Sequence, residues 1–146
     1  MARDEVAKNQ RERLFGAMVA CVAAKGYEET TVADVLELSG VSRSAFYEHF
    51  HDKEECFLAA FHGISEKAIE FVDEELEKEN GSAKGRARAA LRCTFEKIVE
   101  ERAAAELCFD GVYTAGEPGR KAVEEVLAQF ERVVGRTLSE IDGGSS

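Results

Sequence analysis

The stretch from Thr30 to Phe50, TTVADVLELSGVSRSAFYEHF, leaves this chain the fewest choices. Its apolar spacing describes two helices of about two turns each, parted by a turn that contains glycine, the pattern of a helix-turn-helix. Thr31 is placed to cap the first, with Asp34 three residues on as the second half of a weak capping box. Ser39-Gly40 stops that helix, and Ser42 caps the next, RSAFYEHF. Val32, Val35, Leu36, Leu38 and Val41 supply an apolar face to the first helix and the turn, and Ala45, Phe46 and Phe50 supply one to the second. Two such short helices need a further helix to cover those faces. The segment from Lys8 to Ala24 provides it, with Leu14, Met18, Cys21 and Val22 at helical spacing and Gly26 as its stop.

The face of RSAFYEHF opposite the phenylalanines carries Arg43, Ser44, Tyr47 and Glu48, brought to one side by spacings of one and four residues. Arg43 stands at the leading end, where a recognition helix meets base edges and an arginine can bind guanine with two hydrogen bonds. Ser42 and the free N–H groups of the first turn can hold a phosphate. Tyr47, His49 and Lys53 are further donors for the phosphate backbone. Double-stranded DNA is therefore the expected partner, although Glu48, Asp52 and Glu54 oppose it.

The formal charge of −10 also opposes it, because phosphate contacts need cations. The excess is unevenly spread. Residues 66–79 hold seven acids against two bases, half of the imbalance in one stretch. Residues 1–13 carry four bases against three acids. Local charge dominates within a Debye length of ~8–10 Å, so the total predicts weak non-specific affinity without excluding a specific site.

Beyond the helix-turn-helix the chain reads as all helix. Asp52 and Glu55 pair to start a long fourth helix that ends at Asn80-Gly81. A fifth spans about Lys84 to Ala103, with six bases against three acids, and packs antiparallel to the acidic fourth. A sixth covers Ala105 to Ala115, either separate or continuous with the fifth. After Gly116-Glu117-Pro118 a last helix carries Val123, Val126, Leu127, Phe130, Val133, Val134, Leu138 and Ile141 as an apolar stripe, before a flexible DGGSS tail. The domain boundaries expected are 1–52 and 53–146.

Enzyme chemistry is not expected. No nucleophile pairs with a base, no glycine-rich phosphate loop is present, and Glu74/Glu75 sit in a charge run. Cys21, Cys56, Cys93 and Cys108 form no C-x-x-C pair and read as small core residues, and His49, His51 and His62 lack metal-ligand spacing. No metal and no cofactor are expected. No apolar run approaches the ~20 residues that span a bilayer, and no leader is visible, so a cytoplasmic protein away from membranes is expected.

Gly26-Tyr27, TTV, GVS, FYEHF and Lys53-Glu54, in that order over about residues 11–61, closely resemble the DNA-binding domain of the tetracycline-repressor (TetR) family. The resemblance implies a dimeric regulator, usually a repressor, on a palindromic operator, released when a small-molecule effector enters the helical C-terminal domain. It carries phosphate contacts over to Thr31, Ser42, Tyr47, His49 and Lys53, and base contacts to Arg43, Ser44 and Glu48. Leu36 stands where the family has alanine, and Ser44 where glycine is frequent. The effector pocket is expected among Phe61, Phe71, Leu91, Phe95, Val99, Phe109, Val112, Tyr113, Leu127 and Phe130, although aromatic residues at helical spacing are more often plain core. Family members continue with two more helices that form the dimer, so a partial C-terminal domain with exposed apolar surface on the last helix is expected here. A helical interaction module without DNA activity is the competing reading.

Overall fold

A computed structural model describes residues 2–78 and 81–144 of the chain. Asn80 of the expected break and the last two residues of the expected tail lie outside the described residues.

Among the described residues there are seven α-helices and no strand: α1 (Ala2–Lys25), α2 (Val32–Ser39), α3 (Arg43–His49), α4 (Lys53–Glu77), α5 (Ala83–Glu100), α6 (Arg102–Phe109) and α7 (Glu117–Gly143), with a 3₁₀ turn at Gly111–Ala115. The all-helical expectation holds, with a helix-turn-helix at the N-terminal end.

Local chemistry accounts for the starts and stops. Thr31 and Asp34 form a reciprocal capping box: the Thr31 hydroxyl accepts from the Asp34 N–H at 3.1 Å, and the Asp34 carboxylate accepts from the Thr31 N–H at 2.9 Å. Lys25 at 3.0 Å adds an ion pair. These contacts, led by the Thr31 N–H, hold the Asp34 carboxyl down at about 2. Ser42 accepts from the Ala45 N–H at 3.2 Å, and Asp52 from the Glu55 N–H at 2.8 Å. Glu55 in turn accepts from the His51 N–H at 3.0 Å.

Two helix limits differ from the sequence expectation. Helix α1 begins at Ala2, six residues before Lys8. Its first turns are charged good helix formers, with Asp4 and Glu5 favourably placed at the positive end of the helix dipole; apolar periodicity alone does not register them. The stretch expected as one helix over Ala105–Ala115 is divided: α6 runs earlier, from Arg102, and the chain tightens to 3₁₀ after Asp110. Glu101, at ψ 52°, separates α5 from α6.

One core joins both ends of the chain. Leu14, Met18, Val35, Phe46, Phe57, Leu107 and Val112 are each at most 1% exposed, and Cys56, Ala60, Phe61 and Ala122 pack with them. The core therefore runs uninterrupted across the expected division at 52/53. At its far edge, Gly119 in the first turn of α7 lies directly on the backbone of Val112, where any Cβ would collide with the Val112 carbonyl oxygen. A second, smaller cluster of Val72, Leu76 and Ala90 holds the distal ends of α4 and α5, with Val133 and Val134 of α7 against it.

The expected pairing of acidic α4 with basic α5 takes another route. Asp73 and Glu77 of α4 pair with Arg136 of α7 at 3.0 and 3.7 Å. Arg86 of α5 pairs with Glu140 of α7 and donates to the Leu76 carbonyl at the end of α4. Helix α7 is the charged partner of both.

Candidate nucleic-acid interface

The recognition helix of the motif, α3, is seated by its aromatic residues. Phe46 is fully buried and Phe50 is 3% exposed. Their rings meet at 5.7 Å, and Phe15 of α1 reaches Phe50 at 5.9 Å. The guanidinium of Arg11 lies 5.5 Å from the centre of the Phe15 ring and 5.2 Å from that of Phe50. Deep burial of two rings on one side of a seven-residue helix fixes its orientation. The opposite side, Arg43, Ser44, Tyr47 and Glu48, is exposed.

The leading end of α3 is open. Ser42, Arg43 and Ser44 are all exposed, and the Ser42 and Ser44 hydroxyls lie 3.4 Å apart. Thr31 is also exposed at the start of α2, with its hydroxyl lone pair engaged by the capping box and its proton available to an acceptor.

The other expected contacts are held by the protein. His49 is half-buried, with Nε2 3.0 Å from the Gln10 side-chain oxygen of α1. Lys53 donates to the Tyr27 carbonyl at 3.0 Å, its ammonium 4.2 Å from the centre of the Tyr27 ring. Either can add a phosphate contact only with what these partners leave free. Leu38, expected on the apolar face of α2, is 59% exposed at its C-terminal end. Val35 and Val41 carry that face, with Val32 and Leu36 partly buried beside them.

Sequence reasoning missed Arg13. From α1 it donates twice to the carbonyl of Ser39, from Nε at 3.0 Å and Nη2 at 2.6 Å. It thereby pins the end of α2 where the turn to α3 begins. Gly40 follows with φ 69°, its N–H donating to the Leu36 carbonyl, and a Cβ there would stand 2.8 Å from Arg13 Nη2. The available signal was the orphan carbonyls that every helix C-terminus leaves in need of a donor.

The ten apolar residues expected to line an effector pocket do not converge. Phe61 and Val112 are sealed into the core and Phe71 is half-buried. The other seven, Leu91, Phe95, Val99, Phe109, Tyr113, Leu127 and Phe130, are 40–78% exposed. On α5 the reason is plain. Leu91, Phe95 and Val99 recur every four residues on one side, while Ala87 and Ala90 face α4 instead. As expected, α7 shows apolar surface, at Leu127, Phe130 and Leu138.

Burial in the core pushes the Cys56 thiol up to about 12. Cys21 is buried too, whereas Cys93 and Cys108 are only partly covered, so two of the four expected core cysteines lie at the margin. Among the described residues no group of histidine, cysteine and carboxylate side chains could hold a metal ion, and no helix is long and apolar enough to cross a membrane.

Residues 15–60 match the family described as "Bacterial regulatory proteins, tetR family". The chain is similar to the HTH-type transcriptional repressor AcnR of Corynebacterium glutamicum, at 40% identity over 73 residues, which is half of this chain and 38% of the relative. The chain spans little more than a third of the length of the AcnR relatives it matches. These relatives are transcription regulators, a non-enzyme class. The fold is similar to that of a TetR family transcription regulator from Marinobacter aquaeolei, with TM-score 0.78 at 20% identity over 99% of this chain and 71% of the other. FadR of Bacillus subtilis, solved in complex with stearoyl-CoA, aligns with TM-score 0.81 at 21% identity over 91% of this chain and 72% of the other.

Proposed function

We propose that this chain, whose residues 15–60 match the tetR family of bacterial regulatory proteins, is a DNA-binding transcriptional regulator, a repressor responsive to a small molecule. One observation carries the reading: α3 buries Phe46 and Phe50 and leaves Arg43, Ser44 and Tyr47 outward with its leading end uncovered. That end enters the major groove. Arg43 reads a guanine edge, Ser44 and Glu48 face neighbouring bases, and Thr31, Ser42 and Tyr47 bind the flanking phosphates. His49 and Lys53 contribute through the positions in which Gln10 and Tyr27 hold them.

Operator reading by a palindrome requires two copies, with their α3 helices roughly 34–36 Å apart in successive major grooves. A homodimer is therefore part of the proposal. An effector acts by favouring a dimer in which that separation no longer fits.

Selection of bound duplexes from a random pool, followed by titration at rising salt, tests this. Enrichment of one palindromic sequence and a steep linear fall of log affinity with log salt are expected. Arg43→Ala should cost about 1–3 kcal/mol and relax preference at one base position of each half-site. No enriched duplex, or a loss of equal size on every sequence, overturns the reading and leaves a helical interaction module in its place.

A further inference from the structure

The ends of α4, α5 and α7 farthest from the helix-turn-helix border an open cleft of about 440 Å³. That volume falls within the roughly 300–1,000 Å³ of small-molecule sites. None of the ten residues expected from the sequence to line a pocket lines it.

Its cation is preorganised. Arg86 donates from Nε to the Leu76 carbonyl at 2.8 Å and from Nη1 to the Gly81 carbonyl at 3.0 Å. Two backbone acceptors fix the guanidinium plane, and only 17% of the side chain is exposed. Its counter-ion is not fixed in this way. Glu140, 2.7 Å from Nη2, is 58% exposed and can swing into water.

Beside that pair stands Thr137, one turn before Glu140 on α7 and 6% exposed. Its hydroxyl makes no side-chain hydrogen bond among the described residues, although it borders the cleft. Two other buried hydroxyls are engaged: Thr30 donates to the Gly26 carbonyl and Ser39 to the Leu36 carbonyl. Partly buried Thr94 bonds back to the carbonyl four residues before it, the ordinary outlet for a helical hydroxyl. Among the described residues, Thr137 is a buried hydroxyl residue that borders the cleft, and its hydroxyl keeps its capacity for what enters there.

We propose that this cleft binds a small organic carboxylate. The carboxylate takes the place of Glu140 on Arg86 Nη2 and accepts a hydrogen bond from the Thr137 hydroxyl. Leu76 and Val133, which also line the cleft, cover the apolar body of the molecule. Local charge favours an anion: Asp73 and Glu77 stay with Arg136 and Lys78 stays with Glu75, so release of Glu140 leaves the Arg86 guanidinium without its counter-ion. The site supplies a ligand class for the effector proposed above. Its test contains no DNA, so its failure would leave the DNA reading standing.

The probe is 3-phenylpropionate, titrated calorimetrically into the full chain, with 3-phenylpropan-1-ol as the uncharged control. Saturable binding of the acid and none of the alcohol is expected. Glu140→Gln removes the competing carboxylate and should tighten binding about two- to fivefold. Thr137→Val keeps the side-chain shape and should weaken binding by about tenfold, with an unchanged circular dichroism spectrum. The proposal is overturned if neither the wild type nor Glu140→Gln binds the acid, if acid and alcohol bind alike, or if Thr137→Val binds as tightly as the wild type.

Discussion

The helix-turn-helix end and the α5–α7 end of this molecule are built by different rules. In the first, short helices start and stop on residues three or four apart, and Phe46 and Phe50 are sunk in the core, at most 3% exposed. In the second, three buried residues anchor the distal cluster, while Leu91, Phe95, Val99 and Phe109 lie on the surface. The contrast teaches that the helix-turn-helix buries its aromatic face within a single chain. The other half leaves large apolar side chains on its surface.

The largest effect expected from this contrast is on thiol reactivity. With the thiol at about 12, the thiolate fraction of Cys56 at pH 8 is on the order of one in ten thousand, and the side chain is fully covered. Iodoacetamide under native conditions should label partly exposed Cys93 at least about a hundred times faster than Cys56. Equal rates, read by peptide mass spectrometry, would erase the distinction.

Core truncation comes next. Phe46→Ala should cost about 3–5 kcal/mol in urea unfolding, and Phe95→Ala less than about 0.5 kcal/mol, although both remove a phenyl ring. A comparable cost for Phe95→Ala would mean that its surface is covered in solution, and sedimentation would then reveal a second copy.

A smaller effect is expected from capping. Thr31→Ala should cost about 1 kcal/mol by loss of the N-cap hydrogen bond. The Asp34 half of the same box depends on pH. Its folded carboxyl is held below the ordinary value, so its contribution is fully present above about pH 4 and is lost as pH falls through about 2. The wild-type urea midpoint should therefore drop more steeply between pH 5 and pH 2 than that of Asp34→Asn, and parallel curves would remove the box from the account.

What was legible in the sequence follows the same divide. Thr31 with Asp34, Ser42, and Asp52 with Glu55 are contacts across three residues, and each is encoded where it acts. The outward face of α3 followed from the burial of Phe46 and Phe50. The contacts of Arg13 with Ser39 and of Lys53 with Tyr27 span 26 residues, and no local pattern announces them. The ten residues expected around a pocket are dispersed for a related reason. Apolar spacing tells that a helix has a greasy side, but only the packing of α5 and α7 decides whether that side turns inward. Leu38 shows the same limit over one turn, at a helix end where the apolar stripe has already rotated out of the core.

The Arg13 contact has a consequence for the history of such a chain. Gly40 tolerates no Cβ, partly because of its left-handed backbone and partly because the Arg13 guanidinium occupies the space beside it. Shortening the side chain at 13 removes the second obstacle and leaves the first. Alanine at 40 should therefore be less damaging in a background that already lacks the arginine. Two sites far apart along the polymer are thus bound to drift as a couple, and a lineage that loses one of them loosens the grip of selection on the other.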